Sequence, residues 1–291
     1  MLNYFLSQKD IPQVAEIINL LNSLKKNISC QDYNISSDEY QNILDLFDSI
    51  KDVAILAKDE PLANAQYVAK SYFKIFVNLS SYLSLIENQK YEKSWLKLQD
   101  CLDNAIHFCQ YVPLNQRLEI DELIDLFHKY EDLYPYSAFL SSEYSYNHCE
   151  CSICGKSISD LECTHIMGDL YWGECAYGII HDISEMPAIA IVSHPKDKRC
   201  VINISDDQRS EGERFKKLGY FFSQLKNPLQ NMELEELMQK KRNHDIKKQE
   251  RNELCLCGSG KKFKKCCINN MYYDNLHFRI NIKREIRLIY F

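Results

Sequence analysis

Cys255-Leu256-Cys257-Gly258-Ser259-Gly260-Lys261-Lys262-Phe263-Lys264-Lys265-Cys266-Cys267 sets four thiols in the order Cys-x-Cys-x8-Cys-Cys. Four soft ligands at such spacing are what a tetrahedral structural zinc requires. Gly258 and Gly260 let the chain turn tightly between the two pairs, because glycine tolerates positive φ. Lys261, Lys262, Lys264 and Lys265 offset the double negative charge of a zinc tetrathiolate and lower the thiol pKa values. Phe263 is the large aromatic residue of the loop and suits a cover over the metal. A module of roughly 15 residues buries too little surface to fold by itself. Bound zinc contributes roughly 10–16 kcal/mol of apparent free energy and so supplies the missing stability. A phosphate-loop reading of Gly258-Ser259-Gly260-Lys261 fails. No glycine stands five residues before Gly260, and Lys262 occupies the place of the required Ser or Thr.

From Asn252-Glu253 through Cys267 the stretch closely resembles the SEC-C motif. That module ends the bacterial preprotein translocase ATPase and occurs in many otherwise unrelated bacterial proteins. The resemblance implies zinc on Cys255, Cys257, Cys266 and Cys267. It also implies a docking role, since the translocase module contacts an export chaperone and has ribosome and lipid contacts attributed to it. It covers a small fraction of the chain. The motor's nucleotide-binding motifs are absent, and residues 268–291 run on past the point where the translocase tail stops. The chain therefore does not read as a translocase.

A second cysteine group lies upstream. His148-Cys149-Glu150-Cys151-Ser152-Ile153-Cys154-Gly155 is followed by Cys163-Thr164-His165 and by Cys175. Cys151-x2-Cys154-Gly155 has the form of a zinc knuckle, with glycine allowing the turn that aims backbone N–H groups at sulfur. Cys163 and His165 complete a Cys3His set for a second zinc. Cys149 and Cys175 are spare, and either is an alternative to His165. The segment from Cys163 to Cys175 looks like short zinc-binding segments of some phage-associated proteins, a likeness that implies no defined activity.

Outward from these clusters, the first 130 or so residues show helical spacing of apolar side chains. Stripes run through Ile43, Phe47 and Ile50, then Val68, Tyr72, Ile75, Phe76 and Leu79, then Trp95, Leu98, Leu102 and Phe108, then Leu123, Leu126 and Phe127. Pro61 suits a first helical turn, and Pro113 ends a helix. Tyr134 to Asn147 is aperiodic and reads as a boundary. Ala188–Val192 and Cys200–Ile204 read as a hairpin across His194–Lys198. Ser210–Glu213 opens a short helix through Phe222. Glu233–Glu250 reads as a charged helix, and Leu276–Lys283 alternates like a strand. The fold class that follows is α+β, with a mainly α-helical N-terminal half, a small zinc-finger-like α+β middle and a C-terminal SEC-C zinc module. The domain reading places an α-helical bundle or hairpin at 1–135 and a Cys-rich zinc-finger-like domain with a β-hairpin at 136–228. A charged helical linker follows at 229–251, the SEC-C module at 252–268, and a basic extension at 269–291.

Ten of the 13 cysteines lie between Cys149 and Cys267, mostly within three residues of another. In a reducing compartment that clustering points to metal ligation rather than disulfides. No run of about 18 apolar residues is present, and the N-terminal residues lack the basic and apolar regions of a secretory leader. The chain reads as cytoplasmic. The net charge of −6 hides an asymmetry, since residues 240–291 hold 14 Lys and Arg against 5 Asp and Glu. A basic segment on an acidic body addresses nucleic acid, ribosomes, anionic lipid or an acidic protein patch, or folds back on that body.

No Ser-His-Asp order, nucleotide loop, HExxH or paired-carboxylate motif stands out, and His107, His128, His181, His194 and His277 read as packed or solvated. The primary reading is a non-enzymatic zinc protein that docks a chaperone-like or ribosomal partner. The alternative is nucleic-acid binding, with Lys261, Lys262, Lys264, Lys265, Arg279, Lys283, Arg284 and Arg287 on phosphate and Phe263, Tyr272, Tyr273 and Phe278 stacking on bases. A weaker option is an HNH-like nuclease using His165, His194 and Asn203, whose spacing fits poorly.

Overall fold

The computed structural model describes residues 1–33, 37–202, 209–242, 249–269 and 272–291. Within them the chain is α+β. Two compact units form, one from residues 1–229 with 286–291 and the other from residues 230–285.

The first unit opens with six helices: α1 (Leu2–Ser7), α2 (Pro12–Ser29), α3 (Ser37–Leu56), α4 (Glu60–Glu87), α5 (Tyr91–Tyr111) and α6 (Ile120–Glu131). Helix α4 buries Val68, Tyr72, Ile75, Phe76 and Leu79 on one face and Ala63, Phe73 and Val77 on the others, so buried side chains point around much of its circumference. A helix apolar on most sides belongs in the middle of a bundle, and α1, α2, α3 and α5 all pack on it. Each fully buried large apolar side chain contributes roughly 1.5–3 kcal/mol. Asp59 caps α4, its carboxylate accepting from Leu62 N at 2.9 Å, with Pro61 in the first turn. Helix α5 stops before Pro113, which cannot continue it.

After α6 come β1 (Phe139–Cys151), the short pair β2 (Leu170–Tyr171) and β3 (Glu174–Cys175), and β4 (Gly178–Val192). Among the described residues, the expected hairpin of Ala188–Val192 with Cys200–Ile204 does not form. Strand β4 instead pairs antiparallel with β1, from Phe139 opposite Val192 to Cys151 opposite Gly178. Cys200 and Val201 flank the other side of the start of β1, where Leu140 N donates to Cys200 O at 2.8 Å. Asn203 and Ile204 lie outside the described residues. From Phe139 on, the stretch read as a boundary thus belongs to β1. Its Ser- and Tyr-rich sequence hides the period of two, because most of this ribbon is exposed on both faces.

Helices α7 (Glu211–Arg214) and α8 (Lys216–Gln224) follow, with Ser210 and Glu213 forming a reciprocal capping box. Phe215 joins Tyr91, Tyr134 and Tyr136 in one aromatic cluster, which Trp95 extends to Phe139. This cluster fixes the start of β1 and the α7–α8 turn against α5.

The second unit is a ribbon of β5 (Gln230–Arg242) and β6 (Tyr272–Glu285), paired from Gln230 opposite Glu285 to Arg242 opposite Tyr272. The expected charged helix over Glu233–Glu250 is therefore corrected to a strand as far as Arg242, and residues 243–248 lie outside the described ones. Good helix formers yield here because the strongly alternating β6 offers a full-length partner. Cross-strand ion pairs Glu233–Lys283 and Glu235–Arg279 reinforce the register.

The chain leaves the first unit at Leu229 and rejoins it at Ile286, where Ile286 N donates to Leu229 O at 2.9 Å. Residues 286–291 then run along α2. Ile286 and Leu288 are buried, and Asn22 exchanges two hydrogen bonds with the backbone of Phe291. Lys25, fully buried, donates to Glu119 Oε1 and Tyr72 Oη at 2.8 Å each and to Ile289 O at 2.6 Å. The end of the basic extension is thus a strap bonded to α2, with Ile286 and Leu288 buried, rather than a free tail.

Candidate metal centres

The first centre lies between β5 and β6. Leu254 and Lys262 form an isolated bridge, and Cys255 N donates to Lys261 O at 2.8 Å, which closes the turn. Gly258 and Gly260 have φ of 78° and 69°. A Cβ at either would meet nothing within 4 Å, so glycine is needed here for conformation and not for space. A single 3-10 turn over Phe263–Lys265 then carries Cys266 and Cys267 back to the first pair.

The four ligand atoms of Cys255, Cys257, Cys266 and Cys267 all lie within 4.8 Å of one another. Cys257 Sγ is 3.4 Å from Cys266 Sγ, which is 3.6 Å from Cys267 Sγ. Tetrahedral zinc with Zn–S bonds of about 2.3 Å requires sulfurs about 3.8 Å apart, so the donor set fits zinc with small adjustments. Phe263, Cys255 and Cys267 are buried together, with Ile268 against them. The four lysines are exposed around this core.

The crowded thiols do not ionise alike. The Ser259 hydroxyl and backbone N–H pull Cys257 down to about 6. Desolvation pushes Cys255 and Cys267 up, and neighbouring thiols push Cys267 further. A divalent cation would remove this conflict, because it stabilises all four thiolates at once. Ser259, whose Oγ also lies 3.1 Å from Cys266 Sγ, is a site residue that the sequence reading treated only as part of a turn.

The second centre hangs from the end of β1. Gly155 N donates to Cys151 O and Cys151 N to Lys156 O, both at 2.8 Å, and Gly155 has φ of 69°. These bonds make the knuckle that the Cys-x2-Cys-Gly step predicts. The ligand atoms of Cys151, Cys154, Cys163 and His165 lie within 4.8 Å of one another. Cys154 and Cys163 sulfurs are 3.7 Å apart, and Cys163 Sγ is 3.9 Å from His165 Nδ1. The spacing suits a Cys3His zinc, with Tyr171 packed edge-on against the imidazole at 4.6 Å. Burial opposes ionisation of Cys151, but the N–H groups of Ile153 and Cys154 outweigh it and lower its pKa.

The spare cysteines stay out of this group. Cys149 is buried, its sulfur 2.6 Å from where a Cβ on Gly178 would stand. Cys175 Sγ accepts from Tyr111 Oη at 3.3 Å. The β2–β3 turn fixes the knuckle to α4, with Gly173 N donating to Asn64 Oδ1 at 2.7 Å. Among the nuclease residues, His165 sits with the cysteines, the exposed His194 bonds Ser193, and Asn203 lies outside the described residues.

Residues 251–269 match the SEC-C motif family. No curated protein and no solved structure matches the chain. The segment that carries the Cys255–Cys267 turn is thus identified as a SEC-C motif, and the rest of the chain has no family assignment.

Proposed function

We propose that this is a non-enzymatic cytoplasmic protein that holds two structural zinc ions and docks a ribosomal or chaperone-like partner through the SEC-C turn. The observation that carries the reading is the Cys255–Cys267 cluster, a compact tetrathiol core wrapped by four exposed lysines. Its ligands are Cys255, Cys257, Cys266 and Cys267, and those of the second zinc are Cys151, Cys154, Cys163 and His165. Zinc makes this turn rigid, and a rigid basic knob loses little entropy on binding an acidic surface. The helical part of the first unit serves as scaffold.

Nucleic-acid binding is the second reading, and the exposed lysines favour it too. Two of its cations, Arg279 and Lys283, are already paired with Glu235 and Glu233, which weakens it.

Native mass spectrometry of protein purified without chelator tests the zinc claim, and two zinc ions per chain are the expected result. Co-sedimentation with purified ribosomes, and binding to a purified export chaperone, test docking. Binding that Cys255→Ser abolishes supports the reading. Zinc-loaded protein that binds neither partner refutes the docking claim.

A further inference from the structure

Beside the Cys151 knuckle, the exposed face of the β1–β4 ribbon carries a group with no assigned role. His148 stands directly opposite His181 in the strand register. Glu150 lies two residues beyond His148 and so on the same face. Its Oε1 accepts from His148 Nε2 at 2.8 Å, and its Oε2 lies 3.2 Å from His181 Nε2. The two imidazoles are 5.9 Å apart between centroids and inclined by 31°. Cys149 and Cys151, both buried, point to the opposite face, so this group shares no side chain with the knuckle.

We propose that His148, His181 and Glu150 form a third, open metal site for a divalent first-row transition ion such as nickel, cobalt or zinc. Two imidazoles and one carboxylate are a borderline donor set that suits these ions better than magnesium or calcium. The paired backbone supplies the preorganisation, because the register holds the histidines face to face and Glu150 beside them. Both Nε2 atoms already converge on one carboxylate. In the metal-free state Glu150 bridges them, one oxygen to each ring. Binding exchanges the Nε2 proton for the ion and turns three exposed side chains inward to bonds of about 2.0–2.2 Å. Their side chains are 43%, 34% and 45% exposed for His148, Glu150 and His181, so that turn meets no packed neighbour layer. Three protein donors leave at least one position for water or for a donor from another molecule. The site thus differs in kind from the closed cysteine centres.

The test uses the full untagged chain with zinc already on its cysteine sites. Nickel is titrated and followed by native mass spectrometry and calorimetry. One further ion per chain is expected, with affinity falling by about tenfold or more in His148→Ala, His181→Ala and Glu150→Gln. All three variants keep their two zinc ions, which separates this result from the fate of the cysteine centres. Cobalt gives a second readout: weak d–d bands without sulfur charge transfer are expected. Absence of a further ion up to about 1 mM nickel, a Kd near that of a −4 kcal/mol interaction, overturns the proposal. Equal affinity in wild type and variants, or cobalt bands of thiolate type, also overturns it.

Discussion

Removing the carboxylate of Glu119 with Glu119→Leu leaves a fully buried ammonium without its counter-charge. Lys25 and Glu119 expose 0% and 2% of their side chains and meet at 2.8 Å. Desolvation lowers the Lys25 pKa, and the Glu119 charge opposes that fall. Breaking such a pair from one side costs roughly 3–5 kcal/mol, because the remaining charge stays buried and unpaired. Lys25→Met costs a similar amount for the converse reason. Simple addition of the two would give roughly 6–10 kcal/mol, as much as the whole stability of many domains. The double variant removes both charges, so it should lose far less. What remains is the desolvation of Tyr72 Oη and of the Ile289 carbonyl and N–H, which lose their partners. At about 1 kcal/mol or more each, these give roughly 3 kcal/mol, and the coupling energy is about 3 kcal/mol or larger. Urea unfolding followed by tryptophan fluorescence, to which the buried Trp95 contributes, measures all four proteins. Additivity within about 0.5 kcal/mol would mean that the pair is not buried and coupled as described.

Chelation, or Cys255→Ser, should free the amides of Cys255, Phe263 and Cys266 to exchange with solvent while α4 and α5 stay protected; unchanged protection at those amides refutes a metal-held turn. Gly173→Ala should cost about 1–3 kcal/mol, read as a lower Tm. Its φ is 76°, and a Cβ there would stand 2.8 Å from Ala63 O, so an unchanged Tm would place the β2–β3 turn elsewhere. Glu131 should contribute to acid sensitivity. Burial opposes its charge, but hydrogen bonds from Gln99, Lys198 and His128 win and depress its pKa. The unfolded state then takes up the proton first, so the contribution of Glu131 is complete above the unfolded pKa of about 4.3 and is lost as pH falls through the lower folded value. Melts of Glu131→Gln against wild type should converge below that window, and a constant difference across it refutes the assignment.

The clustering of the candidate metal donors was legible in the sequence because its determinants are local. Cys-x-Cys-x8-Cys-Cys and Cys-x2-Cys-Gly bring their thiols together through turns of a few residues, and glycines at positive φ mark where the chain reverses. The helical half was legible for a similar reason, since a stripe such as Val68, Tyr72, Ile75, Phe76 and Leu79 repeats within one element. Pairing between distant segments was not. Strand β1 shows no alternation because neither face is consistently buried, so only its partner β4 identifies it. Residues 230–242 carry helix-forming side chains, and β6, about 40 residues on, turns them into a strand. Nothing local links Lys25 to Glu119 and Ile289, or His148 to His181, because each pair is made by packing or register. Short-range spacing thus determined which residues can hold metal. The tertiary structure decided which strands pair, where the strap packs, and which charges must compensate each other away from water.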